Sequence, residues 1–119
     1  MMKWAVKIYM QRKIKQRFKF LQKKGFRRKV YFKNGDSQII YTKNKLSIEI
    51  NYYLSISFKY ILMINIDNNG KWANILECDY FDIVDLDSLK SEIFSIDVEE
   101  PLYVEKALTL YADFIEKHI

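Results

Sequence analysis

Few residues in this chain are suited to catalysis, and their neighbours do not help them. His118 is the single histidine and the penultimate residue of 119. A general base needs a fixed partner and a pocket. A histidine so near the chain end is expected to be solvated instead. Cys78 is the one cysteine, flanked by Glu77 and Asp79. Adjacent carboxylates disfavour a thiolate, so an inert, buried thiol is expected. One Cys and one His make no internal disulfide and no zinc site. No G-x-G-x-x-G, P-loop, H-E-x-x-H or G-x-S-x-G string occurs. The chain therefore reads as a non-enzyme, with no catalytic, cofactor-binding or metal-binding residue.

Asp79, Asp82, Asp85 and Asp87 are close enough in sequence to raise a hard-cation site. An EF-hand loop needs Gly at its sixth position and Glu at its twelfth. Counting from Asp79, those positions hold Val84 and Lys90, so no calcium loop is expected. The acids read as helix caps and solvated charge. Tyr80, Phe81, Ile83 and Val84 are interleaved with them, which makes the segment amphipathic and suited to docking another protein. Glu77, Asp79, Tyr80, Phe81, Asp82, Asp85 and Asp87 are the candidate partner-binding residues, with Tyr80 and Phe81 as apolar anchors. Asp79 and Asp82 are expected to be loop charges that the fold can lose without cost.

Charge is distributed unevenly. Residues 1–33 carry thirteen Lys or Arg and no acid, while residues 77–100 carry nine acids and one base. The net +5 conceals a strong asymmetry along the chain. It points to an anionic partner for the basic part, a basic partner for the acidic part, or pairing of the two parts with each other.

The elements that must position these residues follow from periodicity. Residues 1–24 predict a helix, with Val6, Met10, Ile14, Phe18 and Leu21 on one stripe, broadened by Trp4 and Ile8. Gly25 reads as its C-cap. The spacing of charges leaves no apolar signal-peptide region, and residues before Met10 add little to the stripe. Lys29–Lys33 predicts a strand with Val30 and Phe32 on one face and Tyr31 on the other. Asn34-Gly35 is a hairpin signal, and Ser37–Thr42 returns. Every even position from Leu46 to Ile66 is apolar, a period of two that a helix cannot produce. A break near Tyr53–Ser57 divides this run into two strands. Leu46, Ile48, Ile50, Phe58, Tyr60, Leu62, Ile64 and Ile66 should face the core, with Glu49 and Lys59 outside. Asp67–Gly70 is a turn and Lys71–Leu76 a last strand. Asp85 or Asp87 caps a helix bearing Leu86, Leu89, Ile93 and Ile96. Asp97–Glu100 breaks it, and Pro101 opens a final helix carrying Val104, Ala107, Leu108, Tyr111, Phe114 and Ile115.

The expected fold class is thus α+β in a single domain, 1–119. An N-terminal helix precedes a five-stranded antiparallel meander, and two C-terminal helices pack on one face with it. The longest stretch without a charged residue runs from Ile50 to Phe58, too short for a membrane span.

The string Leu21-Gln22-Lys23-Lys24-Gly25-Phe26 entering the sheet, the stretch Lys45–Asp67 and Asp85-Leu86-Asp87-Ser88-Leu89 opening a helix resemble small bacterial immunity proteins. Those proteins accompany polymorphic or contact-dependent toxins. The resemblance is one of pattern over most of the chain. It implies a cytoplasmic, single-domain binder that occludes a toxin, with an acidic surface presented to a basic toxin domain. It carries no site residue with it. The alternative reading is a nucleic-acid-associated protein using the basic helix, with Lys13, Arg17, Lys24, Arg27 and Arg28 along phosphates. Lys outnumbers Arg, which disfavours base readout, and no RNP-type or helix-turn-helix pattern is present.

Overall fold

The computed structural model describes residues 2–33, 36–54, 60–99 and 102–119. Its elements run α1 (Met2–Arg17), α2 (Lys19–Lys23), β1 (Arg27–Lys33), β2 (Asp36–Lys43), β3 (Leu46–Leu54), β4 (Tyr60–Asn68), β5 (Lys71–Asn74), a 3-10 turn (Ile75–Glu77), α3 (Ile83–Phe94) and α4 (Tyr103–His118). The strands form one antiparallel sheet in sequence order, β1-β2-β3-β4-β5. This is the expected α+β meander with helices at both ends of the chain.

The period-two run has the expected consequence. Ile39, Ile50 and Ile64 face one another across β2, β3 and β4, and so do Tyr41, Ile48 and Ile66. All six are fully buried. α1 and α4 pack on each other over this face, α1 against β2 and α4 against β4. Ile14 of α1, Phe18 at the junction and Leu21 of α2 share one core with Leu108, Tyr111 and Ile115 of α4. α3 packs on α4 and on the 3-10 turn. Leu46 and Tyr60 are half-buried at the ends of this face, and Glu49 is on the opposite one.

The structure departs from expectation in four places. The N-terminal helix is interrupted at Phe18, where the Leu21 N–H bonds to the Phe18 carbonyl at 3.0 Å, a three-residue step. The tightened turn keeps both Phe18 and Leu21 fully buried. Second, β1 begins at Arg27, two residues early. Third, the last strand stops at Asn74, because its side-chain oxygen accepts the Leu76 N–H at 3.0 Å and starts the 3-10 turn. Fourth, α3 is capped by Asp82 rather than by Asp85 or Asp87. Asn34-Gly35, residues 55–59 with Phe58 and Lys59, Glu100 and Pro101 lie outside the described residues, as do the side chains of Trp4 and Val6.

Two turns are fixed by glycine. Gly25, at φ +96°, ends α2 with its N–H on the Gln22 carbonyl, and the Phe26 N–H reaches the Leu21 carbonyl. This is a Schellman motif, and its usual apolar contact is supplied by buried Leu21 and Phe26. Asn69 and Gly70, both at positive φ, join β4 to β5 in a two-residue hairpin.

Candidate functional site

The acidic segment is held to the protein by its apolar residues. The Cys78 thiol is buried and donates to the Ile75 carbonyl at 3.3 Å. Phe81 is buried edge-on against Phe114, with centroids 4.9 Å apart, and carries Tyr80 edge-on at 5.0 Å. Phe81 therefore fastens the segment to α4 and does not project from it as an anchor. Asp82 Oδ1 accepts the Val84 N–H at 2.9 Å, which satisfies one of the orphan donors at the start of α3. Asp82 is a structural cap as well as an exposed charge.

What remains on the outside is a mixed surface. Glu77, Asp79, Tyr80, Asp82 and Asp87 are exposed. Ile83, Val84 and Phe94 are exposed too, each above 70 %. On a helix, Ile83, Val84, Asp87, Ser91 and Phe94 share one side, opposite buried Leu86, Leu89 and Ile93. Lys71 of β5 reaches Asp79 at 3.6 Å between exposed side chains, a pair of little energetic weight.

His118 is half-buried in the last turn of α4, on the Phe114 ring at 4.4 Å. Its position is thus packed, contrary to the expectation of a solvated tail. Its Nδ1 lies 3.8 Å from Asp85 Oδ2, beyond hydrogen-bond distance. Asp85, Ser88 and His118 line a depression of about 240 Å³. Among the described residues no three of His, Cys, Asp and Glu gather as a metal ion would require.

The basic part divides in two. On α1, Lys13 pairs with Glu105 at 3.3 Å and Arg17 with Asp113 at 2.7 Å, so α4 supplies their counter-charges. Tyr9 and then Glu105 push the Lys13 pKa above its ordinary value. Beyond the helix the charges are less engaged. Lys24, Arg27, Arg28 and Lys29 are exposed. Gly25, Arg27, Lys29, Thr42, Lys43 and Asn44 line a cleft of about 600 Å³. Lys43 Nζ donates to the Lys24 carbonyl at 2.7 Å and lies 5.9 Å from the Phe26 ring centroid, which neutralises the α2 C-terminus. The chain asymmetry thus becomes spatial: the basic cleft sits at the β1 edge, and the acidic segment packs against α4.

The outer face of the sheet, which no helix among the described residues covers, was not singled out from sequence. Gln38 donates to Asn51 at 3.0 Å and to Glu49 at 3.4 Å, and the Trp72 indole donates to Glu49 at 3.2 Å. Tyr31, Gln38, Asn51, Tyr53 and Met63 border a concavity of about 630 Å³. The signal was present at the odd positions of β4, where Ile61 and Met63 replace the polar residues that a solvated face would carry.

The class defined here is an α+β protein whose antiparallel sheet has helices on one face among the described residues, with a basic β1 edge and an acidic segment at α3. No helix among the described residues is long and apolar enough to cross a membrane. Comparison with protein-family models, with curated proteins and with solved structures finds no match.

Proposed function

We propose that this chain is a non-enzymatic protein-binding module that docks a basic partner domain on α3, as an immunity protein occludes a toxin. The observation that supports the reading is the exposure of Ile83, Val84 and Phe94 among Asp79, Asp82 and Asp87. Apolar anchors inside a charged surround are the usual composition of a transient interface. The acids would steer a basic partner and the apolar side chains would hold it.

The test is capture of a partner from the native host, followed by binding kinetics at two salt concentrations. Asp79→Lys with Asp87→Lys should slow association about tenfold at low salt. Val84→Ser with Phe94→Ser should speed dissociation. If the captured protein binds all variants alike, α3 is not its docking site. The rival nucleic-acid reading rests on exposed Lys24, Arg27 and Arg28. A sub-micromolar complex with DNA or RNA that survives physiological salt would put it first, because non-specific binders lie at roughly 10⁻⁴–10⁻⁶ M there.

A further inference from the structure

The β1 strand is an open edge. It pairs with β2 on one side, and among the described residues no other strand pairs with it. Every residue from Arg27 to Phe32 is exposed, Val30 and Tyr31 at 39 % and 48 %. Such an edge carries a row of unpaired N–H and C=O groups. The strand is also polar along its length: Arg27, Arg28 and Lys29 fill the first half, and Val30, Tyr31 and Phe32 the second. Arg27 and Lys29 line the 600 Å³ cleft with Lys43, and neither has an ion pair among the described residues.

We propose that β1 accepts an extended acidic segment of a partner protein as a sixth, antiparallel strand. Charge selects the occupant. A second copy paired in register about Val30 would set Arg27 against Lys33 and crowd eight like charges onto one seam, four from each strand. An acidic strand removes that repulsion. Antiparallel addition continues the existing sheet and fixes the order of the ligand. Its apolar residues come first, beside Phe32, Tyr31 and Val30, and its acids follow, beside Lys29, Arg28 and Arg27. Alternate side chains then fall on opposite faces, so the acids beside Arg27 and Lys29 enter the cleft. Main-chain hydrogen bonds supply affinity and the charge order supplies direction. This surface is separate from α3, and the inference stands whether or not that reading does.

The probe is a labelled peptide, Thr-Val-Tyr-Val-Glu-Glu-Glu-Thr, followed by fluorescence anisotropy with the full chain. Binding should weaken at least tenfold for the reversed-order peptide. It should weaken equally for Arg27→Glu with Lys29→Glu, whose fold is checked by circular dichroism. Arg27→Gln with Lys29→Gln serves if the charge reversal unfolds. Two peptides N-methylated at alternate amides separate strand addition from ionic capture: one should lose binding and the other keep it. Asp79→Lys with Asp87→Lys should bind the peptide normally. The proposal is overturned by no binding, by equal binding of the reversed peptide, or by both methylated peptides matching the parent. It is also overturned if an oligothymidylate of about thirty nucleotides outcompetes the peptide through the same Arg27 and Lys29.

Discussion

The Trp72 indole donates to Glu49 Oε2 at 3.2 Å although the two residues belong to β5 and β3. The bond therefore spans β4, and the ring lies across the outer face of that strand. Asn65, midway on β4 and opposite both Glu49 and Asn74, is only 3 % exposed on a face that no helix among the described residues covers. The Trp72–Glu49 bond crosses β4 on the same face as Asn65. Trp72→Ala should cost about 1 kcal/mol, more than a bare surface change and less than a core cavity. Urea unfolding measures it. A change indistinguishable from zero would mean that the indole does not rest on the sheet.

Ile50 provides the contrast from the other face. It sits fully buried between Ile39 and Ile64. Ile50→Ala should cost about 2–5 kcal/mol, as deletions in rigid cores do. A loss under about half a kcal/mol in the same experiment would contradict the register, since a one-residue slip exchanges the two faces.

Asp82 separates capping from surface charge. Its side chain holds the Val84 N–H, so Asp82→Ala should destabilise by about 1 kcal/mol while Asp82→Ser stays close to wild type. Asp79→Lys and Asp87→Lys lack that duty and should stay within about half a kcal/mol. Thermal melts of the four variants decide it. If Asp82→Ala melts with the parent, the cap is not contributing.

The sheet was legible in sequence because period two over Leu46–Ile66 admits one geometry, and because Gly25 and Asn69-Gly70 sit where positive φ is needed. The α3 cap was not. Asp79, Asp82, Asp85 and Asp87 are interchangeable as capping residues, and the choice depends on Phe81 packing against Phe114, a contact made across the chain. The same contact decides which apolar residues of the candidate interface face outward: Ile83 and Val84 do, Phe81 does not. The break at Phe18 was hidden for a related reason. Spacings of four and three through Ile14, Phe18 and Leu21 fit an unbroken helix equally well. Only the need to seat Phe18 beside Tyr41, with centroids 6.2 Å apart, reveals the tightened turn.

Alkaline pH should expose the packing between helix and sheet. Burial pushes the Tyr52 hydroxyl up to about 12, helped by Tyr60, whose ring stacks on it at 5.1 Å. Burial likewise pushes Tyr111 up to about 12, with Tyr103 adding to it. In the unfolded chain both should titrate near 10, as tyrosines ordinarily do. The folded form thus holds these protons more tightly. Their contribution to stability is complete below about pH 10 and is lost as pH rises towards 12, because the unfolded state releases protons first. Urea midpoints should therefore fall between pH 10 and 12. In Tyr52→Phe or Tyr111→Phe the fall should be shallower, since one linked proton has been removed. Phenylalanine keeps the ring, so the midpoint near pH 8 reports the hydroxyl's own effect separately. A wild-type slope unchanged by either substitution would show that other groups govern alkaline unfolding and that neither hydroxyl is held in the apolar interior.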